Sequence, residues 1–139
     1  MNWHELSATS HYQTAVAIEN ELAQGHIQDA RDGIEELVEA LGRADRRALR
    51  SQLLRLMAHI LKWKNQPNLR SRSWVVTIAS ARLEIEEILE DEPGLKAELA
   101  ELVKKLGAGA AHIAKKEMGQ SPANAQLSWQ EIFEDEYDL

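Results

Sequence analysis

The chain has no cysteine, a single phenylalanine, three prolines and no long apolar run. Without cysteine there can be no disulfide, no thiolate metal site and no thiol nucleophile, a composition that suits a reducing compartment. A spanning helix needs roughly 18 to 20 consecutive apolar residues, and the 139 residues nowhere supply them. The start, "MNWHELSATSHYQT", lacks the basic opening and apolar stretch of a secretory leader. The expectation is a cytoplasmic protein with no membrane contact. Only seven residues are aromatic, and no alternating apolar run bounded by turn residues reads as a strand.

The usual catalytic frames are missing too. A di-iron bundle uses Glu-x-x-His pairs, but the residues three before His4, His11, His26, His59 and His112 are Met1, Ala8, Ala23, Leu56 and Gly109. There is no His-Glu-x-x-His, no phosphate-binding glycine loop and no Gly-x-Ser-x-Gly elbow. Glu35, Glu36 and Glu39, and Glu84, Glu86, Glu87 and Glu90, fall off the apolar stripes and read as solvated helix faces. No catalytic residue, metal ligand or cofactor is expected.

What the chain does have is helical periodicity. A first helix over about 10–24 places Tyr12, Ala15, Ile18 and Leu22 at steps of three and four, with Gly25 suited to the left-handed position beyond its end. A second, from near Asp29 to about Lys64, carries Ile34, Leu37, Val38 and Leu41, then Leu49, Leu53, Leu56, Met57, Ile60 and Trp63. The two groups centre on different azimuths, so the buried face rotates or the helix bends, with Gly42 the expected place. Pro67 ends it and suits the first turn of a third helix, about 68–90, with Trp74, Ile78, Ala81, Ile85 and Ile88 on one face. Pro93 opens a fourth, striped by Leu95, Leu99, Leu102, Leu106, Ala110 and Ile113 and ending near Gly119; Gly107 and Gly109 inside it mark a close approach or a bend. Ser128 and Glu131 form a capping box that opens a short last helix. Short connections favour antiparallel neighbours. The expected fold is an all-α, up-and-down bundle of about four long helices plus a short C-terminal helix, a single domain over 1–139.

Charge is segregated. The chain holds 16 basic and 23 acidic residues, a net of −7, yet residues 43–82 hold ten basic residues and only Asp45 against them, a local net of +9 that leaves −16 elsewhere. The overall charge disfavours a nucleic-acid partner. Arg43, Arg46, Arg47 and Arg50 share one helix face and read as a solvated ridge. Lys62, Lys64, Arg70 and Arg72 gather at the corner of the second and third helices beside Trp63 and Trp74, with His59 a turn earlier. Such a cluster at a helix start suits an anion. The plainer alternative is that the tryptophans pack the corner while its arginines pair with acidic faces or with the tail from Glu134 to Asp138.

The same residues carry a resemblance. Leu41, Gly42, Arg43, His59, Lys62, Trp63, Gln66, Pro67, Arg70, Ser71, Arg72, Ser73, Trp74, Thr77 and Ile78 make the chain similar to the prokaryotic family called "domain of unknown function 29". The resemblance implies a compact all-helical bacterial or cyanobacterial protein and brings no catalytic residue with it. The functional expectation is a non-enzymatic protein-interaction or self-association module, as a homo-oligomer or with a protein partner. The alternative is anion or nucleic-acid binding, and in either case the residues concerned are His59, Lys62, Trp63, Lys64, Arg70, Arg72 and Trp74.

Overall fold

A computed structural model describes residues 1–139. It is all-α, with six helices: α1 (Trp3–Thr9), α2 (His11–Ala23), α3 (Ile27–Asn65), α4 (Arg72–Asp91), α5 (Leu99–Met118) and α6 (Trp129–Phe133). Tight 3-10 turns cover Pro67–Leu69 and Pro93–Glu98. None of the helices is long and apolar enough to cross a membrane. The chain divides into two compact units, Met1–Arg47 and Ala48–Leu139, the division falling inside α3. That helix carries no break at Gly42.

In the first unit, side chains start both short helices: Asn2 accepts from the Glu5 amide and Ser10 from the Gln13 amide, each satisfying a donor that a helix start leaves open. The core here is small, built on Trp3, Ile18 and Ala30 with Leu6, Ala17 and Leu37 against it. The expected stripes are corrected. Tyr12 is 78% and Val38 64% exposed, and Leu22, Ile34 and Leu41 are exposed as well, whereas Thr14 on α2 and Ala30, Gly33 and Ala40 on α3 are buried. The cause is Trp3: a Cβ on Gly33 would lie 2.9 Å from its ring and 2.8 Å from Ile18 Cγ1, so small residues line the side of α3 that receives it. Gly25, at φ 80, makes the expected left-handed turn between α2 and α3.

The second unit holds the larger core. Leu49, Leu53, Leu56, Ile60 and Leu61 of α3 are fully buried, joined by Ile78, Ala81, Ile85 and Leu89 of α4, Leu99, Ala110 and Ala114 of α5, and Ile132 of α6. Gly109 marks the close approach of α5 to α3, since its Cβ would sit 3.3 Å from Leu54 Cδ2. Gly107 meets nothing. Neither proline opens an α-helix directly. Arg70, at φ −55 and ψ 135, takes the backbone out of the 3-10 turn before Ser71 caps α4, and residues 93–98 wind as 3-10 turn before α5. At the other end, Gly119 closes α5 in the left-handed region and the Ser128–Glu131 capping box is made in both directions.

Candidate functional site

The end of α3, the start of α4 and residues 124–137 meet at the basic corner, and most of its polar groups are engaged there. Lys62 is buried, its Nζ 2.5 Å from Glu117 Oε2 of α5 and 5.1 Å from the centroid of the Trp74 ring. Trp63 is buried edge-on against Tyr137, with ring centroids 5.7 Å apart. Arg70 also lies over it, the guanidinium carbon 4.7 Å from the Trp63 ring and Nε donating to the Trp63 carbonyl at 2.9 Å. Lys64 donates to the Gln126 carbonyl at 2.8 Å and pairs with Glu131 at 2.7 Å. Asn65 matches it, donating to the Asn124 carbonyl and accepting from the Asn124 amide. Lys64 and Asn65 therefore hold the incoming C-terminal segment by its backbone.

Further along α4, Arg82 does the same for α6. Its three guanidinium nitrogens donate to the carbonyls of Ile132, Asp135 and Glu131 at 2.9, 2.7 and 3.2 Å, and its carbon lies 5.3 Å from the Tyr137 ring. A cation at a helix C-terminus satisfies carbonyls that have no intrahelical partner. The Tyr137 hydroxyl adds a bond to the Glu131 carbonyl at 2.7 Å. The sequence gives no sign of this arrangement: Arg82 reads as the last residue of a basic stretch, and nothing local links it to carbonyls about 50 residues on.

Three groups have displaced acidities. Burial lowers the His59 pKa from its ordinary 6.5, opposed by the backbone bond to Arg55 and reinforced by Lys62. A carbonyl can only accept, so the 2.9 Å contact with Arg55 O makes Nδ1 the protonated nitrogen and leaves Nε2 a lone pair. The Lys64 bond lowers the Glu131 carboxyl, with help from Ser128. Burial, with the Asp135 and Glu131 charges, raises the Tyr137 phenol to about 12.

Of the residues expected at the corner, Lys62, Trp63, Lys64, Arg70 and Trp74 pack or bond within it, His59 instead bonds back to the Arg55 carbonyl of α3, and Arg72 is exposed and makes no ion pair or hydrogen bond. The first amides of α4 are partly satisfied by Ser71, whose hydroxyl accepts from Trp74. A shallow recess of about 260 Å³ lies beside His59, walled by Ser51, Leu54, Arg55, Ile113 and Glu117. No hydrogen bond there joins His59 to Ser51 as a base to a nucleophile, the pairing that nucleophilic catalysis uses. A larger open recess of about 470 Å³ between α3 and α5 is lined by Met57, Leu61, Val103, Gly107, Ala111 and Leu127, with Lys104 at its side. In the first unit, Glu21, His26 and Asp29 bring one ligand atom each within 4.8 Å of one another. These residues are largely exposed and sit at the positive start of α3, where an acid is favourable and a cation is not; the 2.6 Å His26–Glu21 bond accounts for the pairing.

Comparison with known proteins adds a family. The model of the family described as "Domain of unknown function DUF29" matches residues 11–138. No curated protein and no solved structure matches the chain.

Proposed function

The chain belongs to the DUF29 family, and we propose that it is a non-enzymatic cytoplasmic association module, a helical body whose outer surfaces bind a second copy or a protein partner. One observation carries this reading. Most of the polar groups at the corner that could hold a ligand are already bonded within the fold, Lys62 and Lys64 to Glu117, Gln126 and Glu131 and the exposed Arg70 to the Trp63 carbonyl, while several large apolar side chains stay outside. Val76 and Leu83 of α4 and Ile34, Val38 and Leu41 of α3 are 43 to 64% exposed. Single exposed apolar residues are ordinary, but several on one helix are a feature of interaction surfaces.

The test is multi-angle light scattering over a wide concentration range, at low and at high salt. Mass rising with concentration at low salt supports the module as a self-associating one. Constant monomer mass, together with failure to capture any protein partner, removes the reading. The second candidate, anion or nucleic-acid binding through Arg70, Arg72, Lys62 and Lys64, has one specific observation in its favour, the unpaired and exposed Arg72. Titration with inorganic phosphate and with a single-stranded oligonucleotide at low salt distinguishes it: binding that falls steeply with salt and is lost in Arg70→Ala/Arg72→Ala would favour it over the association reading.

A further inference from the structure

The outer face of α4 has an order that its fold does not require. Ile78, Ala81, Ile85 and Leu89 point into the core. Opposite them, on one side of the helix, stand Arg72, Val76, Ala79, Ser80, Leu83 and Glu87, spaced at three, four and seven residues. Val76 and Leu83 are 58% and 59% exposed. Arg72 has no partner, and neither does Glu87 nor its neighbours Glu84, Glu86 and Glu90, all exposed. The face therefore runs from a cation, through an apolar stretch with small residues at its middle, to a group of anions.

Such an order is complementary to itself when reversed. We infer that the outer face of α4 binds a second copy of this chain, the two α4 helices running antiparallel about a two-fold axis that passes between Ala79 and Ser80. This rests on the reading of the protein as an association module and names the surface it uses. In that register Val76 lies against Leu83 of the second copy and Arg72 against its Glu87, and the symmetry makes each contact twice, as an isologous interface must. Ala79 and Ser80 at the axis let the backbones come close. The charge pattern selects the direction: a parallel pair would place Glu84, Glu86, Glu87 and Glu90 against their own copies and leave both arginines together, and like charges in register are destabilising. One helix face is small beside the roughly 1,200 to 2,000 Å² buried in stable complexes, so the dimer is weak, reversible and dependent on concentration.

The experiment is sedimentation velocity on the full chain at low salt, with circular dichroism to show that each variant is folded. All three substituted side chains, Arg72, Leu83 and Glu87, are exposed, so folding is expected to survive in all four variants. The wild type should pass from monomer to dimer as concentration rises. Leu83→Glu should weaken dimerisation about tenfold or more, as loss of a central apolar contact does. Arg72→Glu and Glu87→Arg should each weaken it roughly 2- to 30-fold, because each alters two symmetric exposed pairs, and the combined Arg72→Glu/Glu87→Arg should recover most of the wild-type affinity. A wild type that stays monomeric throughout overturns the inference, while capture of a different protein would leave the broader association reading standing. Dimerisation indifferent to all four variants overturns this surface and keeps self-association. Single reversals that weaken binding without rescue by the double reversal overturn the antiparallel register.

Discussion

Gly33 and Gly107 both lie inside helices, and the same substitution should move stability in opposite directions at the two. Alanine in place of a helical glycine is worth about 1 kcal/mol when nothing opposes it. At Gly107 nothing beyond the adjoining helix backbone and chain neighbours lies within 4 Å of the added methyl, so Gly107→Ala should raise the midpoint of urea unfolding. At Gly33 the methyl would press on the Trp3 ring and on Ile18 at 2.8 to 2.9 Å, and overpacking of roughly 1 to 3 kcal/mol outweighs the helical gain; Gly33→Ala should lower it. The displaced acidities give two more residue-scale outcomes. Because the folded chain holds the His59 pKa below 6.5, the unfolded chain takes up this proton first as pH falls. The stability owed to the neutral imidazole is complete above pH 6.5 and declines as pH drops through the folded value. Unfolding measured across that range should show a flatter acid limb in His59→Gln. For Tyr137 the sign is reversed: its phenol, raised to about 12, supports the fold fully below the ordinary value of 10.0 and loses that support as pH rises to the folded value. Tyr137→Phe should remove the corresponding phenolate absorbance step in an alkaline titration.

At the scale of elements, α6 is the one that most depends on a distant residue. It is five residues long, far below the length at which a helix holds itself in water, and its carbonyls end on the Arg82 guanidinium. Hydrogen bonds to a charged group are worth about 1.5 to 3 kcal/mol, so Arg82→Met should cost about 2 kcal/mol and speed hydrogen exchange selectively over residues 127–137. Arg82→Lys, a single ammonium in place of a planar fork, should restore only part of the protection. This dependence also explains what is legible in the sequence and what is not. The face of α4 that packs can be read directly, because Ile78, Ala81 and Ile85 recur with the helical period and are the residues buried; so can the Ser128–Glu131 box, because its partners are three residues apart. The 3-10 turns after Pro67 and Pro93 cannot, since proline fixes one backbone angle and leaves the winding beyond it to capping. Nor can the buried side of α3 in the first unit, where Ala30 and Gly33 are covered and Val38 is not; hydrophobic periodicity follows large side chains, and there the large side chain belongs to Trp3. Of the corner, the residue types and their clustering are visible from the chain alone. Their partners Glu117, Gln126 and Glu131 are not, because no local rule reaches that far.

For the molecule as a whole, the two units differ in how much they bury. The first rests on Trp3, Ile18 and Ala30, whereas the second contains sixteen buried apolar residues from α3 to α6. Local opening is easiest where few apolar contacts hold a segment, so amides of α1 and α2 should exchange well before those of α3 between Leu49 and Leu61. The way the second unit is closed has a consequence for how it is made. Lys64 finds its backbone acceptor at Gln126, 62 residues further along. At the roughly 5 to 20 residues per second of protein synthesis, that acceptor is added about 3 to 12 seconds after Lys64 itself. Throughout that interval the leucines and Trp63 at the end of α3 have no lid from residues 124–137. The nascent chain therefore passes through a stage with an open apolar groove, when a chaperone has most to hold and a protease most to cut, and the basic corner is the latch that ends it.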